Sequence, residues 1–337
     1  MTPRRVLVLR FGAYGDVLLT AAAVAALRRA LPDARIAFGV RAELAEAVRH
    51  HPGVDELLVV EPGEGVWSYA SKVRAFAPEA VLDLHGRLRS VALRVLLFPL
   101  PFVAVSQRSL WERVRVALGG KPRPTVSLLA RFQDAVARLL GRVVPAEPRA
   151  AFSSPEAEDR AAALLAAAGV AGDRPLLGLS PGANWATKRW PAERYAEVAR
   201  LALAEGWAVA VVGSAAEAAL CAEVCAAAPG AADLGGRVDL ATLPGFVSRC
   251  AAFVSNDSGP THLALGLGVP TVAVFGSTDP AAVGVPEAAV ARVAVDCGPC
   301  SFHGRRSCPR GDLRCLTEVS AAAVWARLAS RTAATDR

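Results

Sequence analysis

The stretch Leu176-Leu177-Gly178-Leu179-Ser180-Pro181-Gly182-Ala183-Asn184-Trp185-Ala186-Thr187-Lys188-Arg189-Trp190-Pro191 decides the fold. An apolar run leads into a loop containing Gly and Pro, and an amphipathic helical pattern follows. That order reads as strand, loop and helix, with the loop at the carboxyl end of a sheet, where open α/β folds bind their ligands. Of 38 basic residues only three are lysines: Lys72, Lys121 and Lys188. A chain that otherwise writes positive charge as arginine keeps one lysine in this loop. A compact ammonium beside the Thr187 hydroxyl and a glycine-containing turn suits a phosphate. An ordinary surface lysine is the plainer alternative. Thr187 either caps the next helix or donates to the phosphate, and Trp190-Pro191 marks where that helix begins.

Outward from this loop, apolar runs and helical patterns alternate along the chain. In the first half Arg5–Arg10, Arg35–Val40, Glu56–Val60 and Ala80–Leu84 read as strands, and Val17–Leu31, Ala42–Arg49 and Trp67–Phe76 as helices. Residues 145–155 turn to Pro, Ala, Glu and Ser, the composition of a linker. The helix Glu156–Ala168 then opens a second series. Its strands are Leu176–Leu179, Ala208–Val212, Ala231–Leu234, Phe253–Ser255 and Thr271–Phe275. Its helices are Ala192–Glu205, Ala215–Ala227, Leu240–Cys250 and Thr261–Leu267. Short buried strands alternating with helices make a parallel sheet. The pattern predicts an α/β protein of two Rossmann-like domains, 1–150 and 151–337, facing each other across a cleft.

At 53% hydrophobic and 20% charged, the 337 residues can fill two cores and are too apolar for disorder. Arg10 and Asp16 interrupt the first apolar run, so no signal peptide is expected. The stretch Ser258–Thr278 is long enough to span a membrane, but Pro260, Pro270 and four glycines make it helix, turn and strand instead. Seven cysteines, an odd number, point to a reducing cytoplasm. Charge is uneven: residues 1–150 carry 22 Lys and Arg against 13 Asp and Glu, and residues 151–337 carry 16 against 18. The basic residues are densest in Arg87, Arg89, Arg94, Arg108, Arg113, Arg115, Lys121 and Arg123. Such a half favours an anionic partner, unless it is simply a solvated arginine surface. Nucleic acid is not expected, because aromatic residues make up only 6% and no nucleic-acid-binding motif is present.

Four further segments could carry chemistry. Phe11-Gly12-Ala13-Tyr14-Gly15-Asp16 follows the first strand and opens a helix; Gly12 and Gly15 allow close approach of another molecule. The spacing is not the dinucleotide fingerprint. Asp16 either caps the helix or serves as a carboxylate base. Asn256-Asp257-Ser258-Gly259-Pro260-Thr261-His262 puts small residues ahead of a helix start, an anion site or simply a turn with its cap. His262, one turn in, is either a packed histidine or a site residue. In Val211-Val212-Gly213-Ser214-Ala215-Ala216-Glu217 the acid takes a ribose hydroxyl or favours the helix dipole. Cys297, Cys300, Cys308 and Cys315 lie within 19 positions, so a tetrahedral zinc or iron site, disulfides and plain thiols are all open.

Taken together these segments resemble the glycosyltransferase family 9 heptosyltransferases. The resemblance rests on 10–17, on Ser180-Pro181-Gly182-Ala183 with Thr187–Pro191, and on 256–263, 275–280 and the cysteine tail, in family order. It implies a GT-B fold whose N-terminal domain takes the acceptor and whose C-terminal domain takes the nucleotide-sugar. It implies inverting transfer of heptose from ADP-L-glycero-D-manno-heptose to the lipopolysaccharide inner core, with Kdo or heptose as acceptor. Asp16 would then be the base that takes the acceptor proton. Lys188 and Thr187 would hold the diphosphate, Asp257, Ser258, Gly259 and His262 would line the donor, and Glu217 would meet the ribose. A fixed ammonium and helix-start N–H groups would stabilise the leaving diphosphate, so no divalent ion is needed for departure. The basic half would suit an anionic, lipid-linked glycan at the inner leaflet, with the enzyme cytoplasmic or peripheral on the inner membrane. A protein acceptor, as in relatives that carry an iron-bound cysteine finger, and a non-catalytic binder of acidic glycans are the competing expectations.

Overall fold

The computed structural model describes residues 3–107, 109–123, 126–170 and 172–335. Arg108, one of the basic residues counted above, lies outside them. The chain forms two compact units: Met1–Arg108 with Val126–Phe152, and Ser109–Thr125 with Ser153–Arg337.

The first unit is built on β1 (Arg5–Leu9), β2 (Arg35–Arg41), β3 (Glu56–Val60), β4 (Ala80–Asp83) and β5 (Phe102–Ala104). They pair in the order β3-β2-β1-β4-β5, every pair parallel. The inner strands are runs of Val, Leu, Ile and Phe without alternation, because helices cover both faces of a parallel sheet. Leu7, Leu9, Tyr69, Val73 and Leu93 fill one side of the core. The expected helix Val17–Leu31 is two helices, Tyr14–Leu19 and Ala21–Ala30. The break falls at Thr20, whose hydroxyl donates to the Val17 carbonyl at 2.6 Å and competes with the helical bonds. β5 and the helices Leu88–Leu96 and Leu128–Leu140 were not expected. The helical patterns are broken by arginines, which read as a basic surface, and β5 is only three residues long.

The second unit is built on β6 (Leu176–Ser180), β7 (Ala208–Val211), β8 (Ala232–Asp233), β9 (Ala252–Asn256), β10 (Thr271–Val274) and β11 (Val290–Ala291). The order is β11-β10-β9-β6-β7-β8, again all parallel. The helix Pro155–Ala167 enters as its sequence predicts, with the Ser154 hydroxyl accepting the Ala157 N–H at 3.2 Å and Pro at the first turn. The C-terminal helix Ala321–Thr335 packs on Ala192–Ala204, and Trp325 Nε1 donates to Glu205 at 2.7 Å. Ser258–Thr278 is helix, turn and strand, as expected. Among the described residues no helix is long and apolar enough to cross a membrane.

Both sheets share one plan. The strand order reverses beside the first strand of each unit, at β1/β4 and at β6/β9. That reversal opens a crevice at the carboxyl ends of the strands, the ligand site of open α/β sheets.

Candidate active site

In the second unit the loops after β6, β9 and β10 meet at the switch point. Asn256, the last residue of β9, is fully buried and holds the β6 loop from below. Its amide donates to the carbonyls of Pro181 and Gly182 at 2.7 and 3.2 Å, and its Oδ1 accepts the Trp190 N–H at 3.0 Å. The loop so held carries Lys188. Its ammonium stands 2.6 Å from Asp257 Oδ2, with both side chains largely buried. The Thr278 hydroxyl donates to the same oxygen at 2.6 Å. Burial alone would raise the Asp257 carboxyl, but Lys188, the Thr278 hydroxyl and nearby His262 together hold it below the ordinary value. The carboxylate thus stays charged and fixes the direction of the ammonium, which has two further N–H groups to offer.

Thr187 is turned inward. Its hydroxyl lies 3.0 Å from Ser277 Oγ and accepts the Arg305 N–H at 2.8 Å, while Ser277 Oγ donates to the Thr187 carbonyl at 3.0 Å. It neither caps the next helix, which Pro191 precedes without a side-chain cap, nor stands open to a ligand. It locks the Lys188 loop to two others. Ser258 begins the helix Gly259–Gly266 in extended conformation, with no side-chain cap on the first N–H groups. His262 is buried in that helix. Glu217 closes a capping box, accepting the Ser214 N–H at 2.9 Å. A Cβ on Gly182 would stand 2.0 Å from Glu217 Oε1. The glycine therefore lets this carboxylate lie against the Lys188 loop, which puts Glu217 beside the site.

In the first unit Asp16 is in the first turn of Tyr14–Leu19, after β1. It is not the cap: Ala13 holds that position, with no side-chain bond. The Asp16 carboxylate is bound instead by Arg10 Nη2, whose other arm donates to the Leu84 carbonyl at 2.6 Å. Gly12 has φ +149°, which L side chains rarely adopt, and its open flank is met by Arg41. Gly15 lies within the helix. On the β4 side, buried Asp83 accepts the N–H groups of His85 and Gly86, both at 2.9 Å, and so fixes the backbone of the turn that carries His85. The His85 ring meets Phe11 edge-on at 5.3 Å. Burial, with Arg10, Arg87 and Arg41 nearby, pushes His85 down to about 4, against the opposing charge of Asp16. His85 Nδ1 and Arg10 Nε are buried without a partner.

The cysteines do gather. Cys297, Cys300, Cys308 and Cys315 line one cavity of about 340 Å³ with Lys121 and Arg305. All four are free thiols. Burial pushes Cys315 up to about 11 and raises Cys300. Cys308 goes the other way: burial would raise it, but four backbone N–H groups lower it. Yet among the described residues no three Cys, His, Asp or Glu side chains stand together closely enough to hold an ion. Of the three openings the sequence left, the described geometry has the four as free thiols around one cavity, not drawn in to metal-bonding distance.

Sequence reasoning missed Arg10, His85, Asn256, Ser277, Thr278 and Arg305. Arg10 directly follows β1, Asn256 ends β9, and His85, Ser277 and Thr278 lie within four residues of a strand end; that position was the available signal.

The family model described as glycosyltransferase family 9 (heptosyltransferase) matches residues 66–309. Lipopolysaccharide heptosyltransferase 1 of Pseudomonas aeruginosa is 28% identical over 88% of this chain and 86% of its own. Lipooligosaccharide heptosyltransferase 2 of Haemophilus influenzae is 36% identical over 115 residues, so the chain spans only 33% of the length of that relative. The solved structure of Escherichia coli ADP-heptose lps heptosyltransferase II superposes with a TM-score of 0.74 at 20% identity, covering 99% of this chain and all of that one. Two Rossmann-like α/β units in one chain, as in the GT-B class, are common to both folds.

Proposed function

Because the chain belongs to glycosyltransferase family 9, the heptosyltransferases, we propose that it transfers heptose from ADP-L-glycero-D-manno-heptose to the inner core of lipopolysaccharide, with inversion. One observation carries this reading. Each sheet presents its candidate residue just after the first strand of its unit, at the switch point: Asp16 in the first helical turn after β1 and Lys188 in the loop after β6.

The second unit takes the donor. Two N–H groups of Lys188 and the helix start at Ser258-Gly259 receive the diphosphate. Charge builds on that diphosphate as the anomeric C–O bond breaks, so a fixed ammonium stabilises the transition state more than the bound donor. Asp257 and Thr278 aim the ammonium, and Thr187 fixes its loop; these are positioning residues. Glu217 is the ribose contact. The chemistry uses no metal ion in this reading.

The first unit takes the acceptor. Asp16 removes the proton of the attacking hydroxyl, whose oxygen forms the new bond to the anomeric carbon while ADP leaves with the electrons of the old one. Arg10 holds the carboxylate in place. His85 is neutral near pH 7, and its unpartnered Nδ1 offers a hydrogen bond to a sugar hydroxyl. Arg41 and Arg87 suit the carboxylates and phosphates of a Kdo-bearing, lipid-linked acceptor. The reading puts the reaction at the cytoplasmic face of the inner membrane.

The test is ADP release from ADP-heptose with a Kdo-lipid acceptor, set beside a protein and an unrelated glycan acceptor. Transfer to the Kdo-lipid alone is expected. Undiminished activity in both Asp16→Ala and Lys188→Ala would overturn the assigned roles.

A further inference from the structure

The helix Leu88–Leu96 begins three residues beyond His85 and carries an apolar strip that none of the described residues covers. Leu88 is 90% exposed, Val91 54%, Val95 72% and, just past the helix, Phe98 84%. The spacing of three, four and three residues puts them on one helical face. On the opposite side Ser90 and Leu93 are buried in the core, so the helix is anchored by one face and bare on the other. Solvated helices place polar residues outward, and this one reverses the rule. Arg87 and Arg94 are exposed at the border of the strip.

We propose that this face docks on an anionic lipid bilayer, Leu88, Val91, Val95 and Phe98 entering the boundary between headgroups and acyl chains while Arg87 and Arg94 meet the lipid phosphates. Two observations choose a bilayer over a second copy of the chain. The strip is edged by cations, and residues 1–150 carry a net charge of +9, which repels another copy and attracts an acidic surface. An apolar face with arginines at its border is also the pattern of helices that lie in a membrane interface. The location has a consequence for catalysis. The docked helix leads straight into His85, so an acceptor held by its lipid would have its sugar beside Asp16 without leaving the membrane. That consequence rests on the proposed lipid-linked acceptor; docking itself does not.

The experiment is co-sedimentation of the full chain with sucrose-loaded vesicles, without donor or acceptor, so its failure is separate from any failure of heptose transfer. Vesicles of phosphatidylethanolamine with phosphatidylglycerol are compared with phosphatidylcholine alone. The chain should partition to the anionic vesicles, and raised salt should weaken it. Leu88→Ser/Val95→Ser/Phe98→Ser should lower the partition at least about tenfold, with an unchanged thermal transition and unchanged turnover of a delipidated acceptor. Arg94→Glu should lower it by about fivefold. Equal partition of the triple variant and the parent, or equal binding to neutral and anionic vesicles, would overturn the proposal. So would a dimer in sedimentation velocity that the triple variant abolishes, because a second copy would then be the occupant.

Discussion

The Lys188 ammonium and the Asp257 carboxylate face each other at 2.6 Å, their side chains only 14% and 7% exposed. A buried pair of this kind costs more to break than it contributes when whole. Lys188→Ala should therefore unfold at lower urea, by about 3 kcal/mol, in addition to losing turnover. Lys188→Met/Asp257→Asn should recover most of the stability and none of the activity. Urea titration and ADP release on the two variants check this; a double variant as unstable as the single one would show that the pair is not the cause.

Lys188→Arg keeps the charge and should still lose activity, about a hundredfold. The guanidinium is a planar fork that prefers two-point contact with Asp257, and its remaining donors then point elsewhere. Wild-type turnover in Lys188→Arg would show that charge alone suffices.

Asp16 is better exposed than Asp257, and its partner Arg10 has a second anchor on Leu84. Asp16→Asn should cut kcat by two to four orders of magnitude, the usual worth of a positioned base, roughly. Its thermal transition should move little. A change in donor KM with kcat intact would place Asp16 outside the proton transfer.

Gly182 and Glu217 should behave as one contact. Gly182→Ala puts a methyl where the Glu217 carboxylate lies and should raise the donor KM several-fold. Glu217→Ala removes the obstacle along with the proposed ribose contact. In the double variant the KM should equal that of Glu217→Ala alone; a simple product of the two single effects would mean the residues act separately.

Folded His85 sits at about 4, below its ordinary 6.5. Between those values the unfolded chain binds the extra proton, so stability falls as pH drops through the window and levels off below it. His85→Gln removes this term. Between pH 7 and 4.5 the variant should gain on the parent by about 1 to 2 kcal/mol, with allowance for a partly exposed ring. A stability difference independent of pH would contradict the depressed ring.

The strands were largely legible because a sheet buried on both faces leaves unbroken Val, Leu and Ile runs, as in Arg5–Leu9 and Leu176–Ser180. Short edge strands such as Val290–Ala291 left no such run. Positions just past strand ends are what singled out Asp16, Lys188 and Asp257 as candidates. Partners separated by seventy or more positions, Asn256 to Pro181 or Ser277 to Thr187, are set by sheet order and have no local pattern. The same is true of the inward turn of Thr187. Cysteine spacing left a metal cage, disulfides and plain thiols open, and only the fold shows that the four line one cavity as free thiols.

The segment Ser109–Thr125 belongs to the second unit although it lies inside the chain of the first. The backbone therefore passes between the units three times: before 109, after 125 and again at 152. No single scission parts them. A fragment begun at 153 would lose the wall that Gly119 and Lys121 give the cysteine cavity, and a fragment ended at 150 would carry Leu110–Ala117 stripped of the unit it packs with. Shuffling of the two units between related proteins would have to carry 109–125 with the C-terminal piece, as a two-piece graft.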